Sequence, residues 1–190
     1  VLTVNAADTA ITCTQTNTRR TATLTLRKQW NNAVVNNAVN FTATGLTTFN
    51  AVANTATELD TAAAQSVSAG AAITLAETFT TGSAANYNSV LSCTGNTTAL
   101  SGNVLTVNGS DTAIVCTFTN SRPTLTLVKT WSGANVNDAI NFTATGLTTF
   151  ASVANTASET DTAAAQPVSV GAAITLAETF TTGSAANYNS

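Results

Sequence analysis

The sequence predicts an all-β protein made of tandem seven-stranded two-sheet sandwiches, and three observations predict it. First, Thr supplies 41 and Asn 21 of the 190 residues; the branched Cβ of Thr favours strands, while Asn, Ser and Gly favour turns. Second, apolar and polar residues alternate in short runs separated by turn residues, the signature of half-buried strands. Third, the chain repeats itself. Residues 24–89, opening LTLRKQW, recur at 125–190, opening LTLVKTW, with about four-fifths of positions identical, and residues 1–19 match 104–122 in the same way. A repeat of roughly a hundred residues carrying evenly spaced strands points to stacked sandwiches.

The repeat divides the chain into an expected C-terminal portion of a preceding repeat (1–20), a complete repeat (21–123), and a following repeat lacking its last strands (124–190). Junctions fall at TRRTAT (18–23) and SRPT (121–124), where Pro123 stiffens a short connection. Within the complete repeat, alternation predicts strands at 24–30, 38–44, roughly 65–68, 72–79, 87–93, 104–107 and 112–119. The Ala-rich stretch TATELDTAAAQ (55–65) has no continuous helical period and reads as a loop or irregular edge. On this division residues 1–20 are expected to complete a neighbouring sandwich, either upstream in the same chain or in an adjacent subunit by strand addition.

Composition narrows the function classes. Only 8% of residues are charged and the net charge is −3, with no basic run to track phosphates, so nucleic acid is not an expected partner. With no His and three Cys outside any C-x-x-C spacing, the common zinc, haem and His-dependent nucleophile arrangements are absent from the sequence. No cofactor and no metal are expected. Thr and Asn interrupt every apolar stretch well short of the 18 or so residues of a membrane helix, so no span is expected in this segment.

Side chains two apart share a strand face. Leu24, Leu26, Lys28 and Trp30 therefore share one, Ile73, Leu75, Glu77 and Phe79 another, and Ile114, Cys116, Phe118 and Asn120 a third. A lysine, a glutamate and an asparagine are each set in an apolar row. One reading is a buried Lys28–Glu77 salt bridge beside a satisfied Asn, since buried charges are ordinarily paired. The other is chemical. A lysine in apolar surroundings loses its proton more readily and a carboxyl there holds its own, so a neutral amine can attack the Asn carboxamide while the acid moves protons, leaving a Lys–Asn isopeptide bond and ammonia.

The segments LTLRKQW, ITLAETFTTGSAANY and CTFTN together resemble the collagen-adhesin B-type, SpaA-like (prealbumin-like) repeats of bacterial surface proteins, over the whole length of the repeat. That resemblance implies a first-strand Lys, an acidic residue and a last-strand Asn joined by an intramolecular isopeptide. Carried over by position, Lys28 is the amine, Glu77 the catalytic acid and Asn120 the acceptor. Lys129 and Glu178 would act with an Asn beyond residue 190, and Asn17 with a Lys before residue 1. The family's compact proline-containing turn after the Glu is replaced here by TFTTGSAANY.

Cys93 closes the apolar row Leu91–Cys93, and Cys116 lies on the inward row of the final strand. A Cys93–Cys116 disulfide is expected, closing a loop of about 24 residues worth on the order of 3 kcal/mol and implying an oxidising compartment; buried free thiols are the alternative. Cys13 is the counterpart of Cys116, its partner expected outside the window. Other signals are weaker. The acidic pairs Glu58/Asp60 and Glu159/Asp161 lack the ligand spacing of a calcium loop and read as solvated. Asp8 and Asp111 read as turn caps before a strand, and Trp30 and Trp131 as core residues over a lysine stem. Sequons at Asn40, Asn96, Asn108 and Asn141 follow from so much Asn and Thr.

The expected function is structural rather than enzymatic: a stalk or fibre repeat of a bacterial extracellular adhesin or filament, on the cell surface. Its partners are neighbouring repeats or subunits of the same protein, and a distal ligand is left unassigned. The alternative is a binding module whose Thr- and Asn-rich face recognises a glycan or matrix protein. Near-identical repeats favour the stalk, because a binding site ordinarily differs from its spacers.

Overall fold

The computed structural model describes residues 1–189 and is all-β, with two single-turn 3-10 segments at Ala84–Asn86 and Ala185–Asn187. Nine strands lie between residues 21 and 121: β1 (Thr21–Asn31), β2 (Ala38–Ala43), β3 (Phe49–Val52), β4 (Glu58–Thr61), β5 (Gln65–Ser68), β6 (Ala72–Thr81), β7 (Asn88–Thr94), β8 (Val104–Thr106) and β9 (Ala113–Ser121). One sheet runs β4-β1-β9-β7, with β5 beside the first half of β1; the other runs β3-β2-β6-β8. Buried residues of both, among them Leu24, Leu26, Ile114 and Cys116 from the first and Phe41, Ile73, Leu75 and Leu105 from the second, form one apolar cluster. The arrangement is consistent with a β-sandwich.

β1 shows why this sequence makes strands. In TATLTLRKQWN every second residue from Ala22 to Trp30 is buried, and the intervening Thr, Arg and Gln face outward. The alternation holds the register, because a one-residue slip would turn the whole row to solvent. β1 pairs in parallel with β9 over nine residues, Thr23 opposite Ala113 through Asn31 opposite Ser121. Its other edge is shared between β5, against Thr21–Leu24, and β4, against Arg27–Trp30. Trp30, Phe79 and Tyr87 meet edge-on or stacked and close one end of the core.

The strands exceed the seven expected. The extra two are β3 and β4, and β4 falls inside the 55–65 stretch expected to be a loop or irregular edge. Its side chains alternate between half-buried and exposed, with little contrast between Glu, Leu, Asp and Thr, so it carries no hydrophobic period. Backbone pairing with β1 makes it a strand. Glu58 secures the preceding turn by accepting from the backbone N–H of Asn54 at 2.6 Å and of Thr55 at 3.2 Å. Asp111 caps the turn before β9 as expected, accepting from the backbone of Asn108 (2.8 Å) and Thr97 (3.0 Å), and these bonds hold its carboxyl below the usual range.

Residues 124–182 repeat the same pattern in a looser form. The counterpart of β1 is split into β10 (Thr124–Leu125) and β11 (Val128–Ser132); β12 (Ala139–Ala144), β13 (Phe150–Val153), β14 (Ser158–Thr162), β15 (Gln166–Pro167) and β16 (Leu176–Thr182) follow. β13-β12-β16 form one sheet, and among the described residues β11 pairs only with β14. β16 has seven residues where β6 has ten, because no counterpart of β8 pairs with Ala173–Thr175 among the described residues. Residues 1–20 form no strand and are exposed throughout. Arg19 and Arg20 fasten their end to the carbonyls of Ala69 and Gly109.

One difference between the repeats has a measurable cost. In the second, Trp131 Nε1 donates to Ser152 Oγ (2.8 Å), which donates to Asp161 Oδ2 (2.6 Å). In the first, Ala51 replaces that serine, and neither Trp30 Nε1 nor Asp60 Oδ2, both buried, has a hydrogen-bond partner of acceptable geometry. Burial, then the charge of Glu58, raises the Asp60 carboxyl above its usual range. Ala51→Ser is expected to raise the stability of the first repeat by about 1 kcal/mol, and Ser152→Ala to lower that of the second by about 1–3 kcal/mol, both read by urea unfolding.

Candidate functional site

The first and last strands of the complete repeat bring Lys28 and Asn120 to one buried face. In the β1–β9 register Lys28 lies opposite Phe118 and Trp30 opposite Asn120, so the lysine and the asparagine are diagonal neighbours two positions apart. β6 faces them from the other sheet and supplies Glu77, which pairs with Phe41 on β2. The Glu77 carboxylate spans the other two side chains. Its Oε2 lies 2.6 Å from Lys28 Nζ, and its Oε1 accepts from Asn120 Nδ2 at 2.6 Å. Lys28 and Asn120 are both 0% exposed. The three residues singled out in the sequence therefore meet at one point.

Polar groups here are incompletely satisfied. The Lys28–Glu77 contact is close but poorly angled for a hydrogen bond, and Asn120 Oδ1 is buried with no partner. Lys28 Nζ also sits 4.4 Å from the centroid of the Trp30 ring, which packs under the ammonium. Burial lowers the Lys28 pKa from 10.5 to about 8, opposed by the close contact with the Glu77 carboxylate and its charge and by the charge of Asp60. Asp60 is directly across from Lys28 on β4, a contribution that reading the stretch as a loop leaves out.

The second repeat contains the same pair without the third member. Lys129 Nζ donates to both oxygens of Glu178, at 3.1 and 3.0 Å, and lies 4.5 Å from the Trp131 ring centroid. Their side chains are 15% and 29% exposed, against 0% and 6% for Lys28 and Glu77. The difference is the cover that β9 provides in the first repeat. Asn17, the counterpart of Asn120, is exposed in the strandless N-terminal segment.

Cys93 and Cys116 are directly opposed on β7 and β9 and form a disulfide, with Cα atoms 4.1 Å apart. Cys13 is a free, exposed thiol. Glu58 and Glu159 serve as turn caps. Among the described residues no group of three or more His, Cys, Asp or Glu side chains is placed to hold a metal ion, and no helix is long and apolar enough to cross a membrane.

No protein-family model, no curated protein and no solved structure matches the chain.

Proposed function

We propose that the chain is a structural repeat segment of an extracellular bacterial stalk or fibre, built of tandem seven-stranded, SpaA-like (prealbumin-like) sandwich repeats to which β3 and β4 are added edges. In each repeat the first and last strands are tied by a Lys–Asn isopeptide. The observation that carries the reading is Glu77 set between Lys28 and Asn120, one carboxyl oxygen on each nitrogen. Neighbouring repeats are the partners, and the Cys93–Cys116 disulfide supports an oxidising, extracellular setting.

The chemistry follows from the contacts. The neutral Lys28 amine attacks Cγ of Asn120; the new C–N bond forms, the Cγ–Nδ2 bond breaks, and Nδ2 departs as ammonia. Glu77 takes the proton from the attacking nitrogen through Oε2 and delivers it to the leaving nitrogen through Oε1, ending as it began. Desolvation favours the neutral amine that the attack needs. Mass spectrometry of the intact chain tests this: after allowance for the disulfide, it is expected to weigh one ammonia less than its sequence. Full mass would reduce the triad to a buried polar cluster.

The titration of Lys28 has its own consequence where the bond cannot form. In Asn120→Ala the amine stays free, with a folded pKa near 8 against 10.5 unfolded. Below pH 8 both states hold the proton, and folding carries the cost of burying it. Between about pH 8 and 10.5 the unfolded state binds more protons, so stability rises with pH, by on the order of 3 kcal/mol in all. Urea titrations of Asn120→Ala across that range should show the rise; a flat profile would show that Lys28 keeps an ordinary pKa.

A further inference from the structure

We infer that Asp60 is a positioning residue for the Lys28–Asn120 bond: from the strand beside Lys28 it holds that side chain as an ammonium, and so sets the pH at which the amine is released to attack. The role rests on the Lys–Asn bond proposed above, and adds to it a group outside the triad of Lys28, Glu77 and Asn120.

Register sets the placement. β1 and β4 run antiparallel with Lys28 directly opposite Asp60 and Trp30 opposite Glu58. Lys28 is buried and Asp60 half-buried, with its Oδ2 out of solvent, so both side chains lie on the inward side of the ladder. Residues directly opposed in such a pair have Cβ atoms about 4.5–5.5 Å apart, near enough for a carboxylate to act on an ammonium without touching it. Glu77 approaches the same lysine from the facing sheet. Lys28 therefore has a carboxyl group on each of two sides.

The charges around it do not balance. Facing Lys28 are Asp60 from β4 and Glu77 from β6, with Glu58 two places along β4. β9 presents Phe118 and Asn120, and Arg27, the other cation of β1, is on the outward row. One ammonium thus serves two carboxyls, and Asp60 makes no salt bridge of its own among the described residues. Burial, then the charge of Glu58, holds the Asp60 carboxyl above its usual range. Its charge in turn resists the proton loss that burial promotes at Lys28. In the second repeat the Ser152 hydroxyl donates to Asp161, the residue opposite Lys129. Asp60 Oδ2 receives no hydrogen bond of acceptable geometry, so its charge is left to Lys28 to offset.

Bond formation ends this arrangement. The Lys28 ammonium first gives one proton to solvent; the amine then becomes an amide nitrogen as ammonia leaves, and the linked site holds two carboxyls and no cation. Asp60 stabilises the unlinked ammonium and gains nothing from the product, so it acts as a brake on the first step. Glu77 differs, because its two oxygens also carry a proton from one nitrogen to the other. Removing the Asp60 charge should lower the pH of Lys28 deprotonation by about one unit, the low end for a neighbouring opposite charge, leaving about tenfold more neutral amine below that point.

The test uses the full 190-residue chain, recovered unfolded in urea so that no bond has formed, and refolded by dilution in one redox buffer over a range of pH. Intact mass at timed intervals, with allowance for the disulfide, gives the rate of ammonia loss. In wild type the rate should rise with pH and level off above the Lys28 pKa of about 8. In Asp60→Asn the rise should come about one unit lower, so that at about pH 6.5 the bond forms roughly tenfold faster than in wild type. Asp60→Ser, which removes the charge with a smaller side chain, should behave in the same way, and Asp60→Glu should restore the wild-type profile. A midpoint unmoved or moved upward would overturn the role, as would a rate reduced equally at every pH, the mark of a purely structural contribution. A second measurement does not depend on the bond. In Asn120→Ala the rise of stability that begins near pH 8 should begin about one unit lower once Asp60→Asn is added; no shift would overturn the inference. Wild type keeping its full mass at every pH would count against the proposed function, while a shift in the Asn120→Ala pair would still uphold the grip of Asp60 on Lys28.

Discussion

Glu77→Ala is expected to return the mass of one ammonia to the chain, after correction for the substitution, and to lower the stability of the complete repeat more than any other single change considered. Two effects combine. Without the carboxyl there is no proton carrier between Lys28 and Asn120, so the link does not form. A closed loop of roughly 90 residues is worth about 4–5 kcal/mol in the chain-entropy treatment developed for disulfides. The substitution also strips a buried lysine of the partner 2.6 Å away, and removing one member of a buried pair costs about 3–5 kcal/mol where the survivor stays charged. Lys28 escapes part of that cost by releasing its proton, since its pKa already stands near 8. Lys28→Ala also blocks the bond, so it too should return the mass of one ammonia after correction for its own substitution. Equal unfolding midpoints for wild type and Glu77→Ala would contradict both the bond and the pairing.

The second large effect belongs to the disulfide. Cys93 and Cys116 are 23 positions apart, and opening a loop of that size is expected to cost about 3 kcal/mol. The cost has a particular location: β7 is an outer strand of its sheet, held by β9 alone. Cys93→Ala with Cys116→Ala should therefore loosen β7 first, seen as faster amide exchange over Asn88–Thr94 than over β1. Thiol labelling of the unfolded, unreduced chain should modify Cys13 alone; labelling of Cys93 and Cys116 as well would rule out the bridge.

Period-two alternation made much of this visible in advance. It located β1, β2, β6 and β9 because those strands bury one face against strongly apolar neighbours, and it placed Lys28, Glu77 and Asn120 on inward rows that the folded chain brings together. β3 (FNAV) and β4 (ELDT) escaped because they are four-residue edge strands held by backbone pairing, with Val52 and Leu59 facing outward, which leaves too short and too mixed a hydrophobic period to read. Asp60 escaped with them, although it faces Lys28 across the β1–β4 ladder. The Trp131–Ser152–Asp161 relay could not be foreseen either, since it depends on how two strands from different sheets meet at one indole. The repeat itself held the clue: Ala51 and Ser152 are among the few positions where the two copies differ.

The parallel pairing of β1 with β9 decides how such a segment would respond to being stretched. Pulling residues 21 and 121 apart drags two neighbouring strands past each other lengthwise, so the rungs of a nine-residue ladder resist together in shear instead of opening one at a time. Were those rungs to fail in an unlinked repeat, the roughly 90 residues from Lys28 to Asn120 would pay out about 300 Å of slack at 3.3–3.6 Å each. With a covalent tie between those two side chains, none of that slack is available. A row of tied repeats would have a contour length set by the number of repeats and nearly independent of force, behaving as a rod of fixed reach where an untied row would behave as a shock absorber.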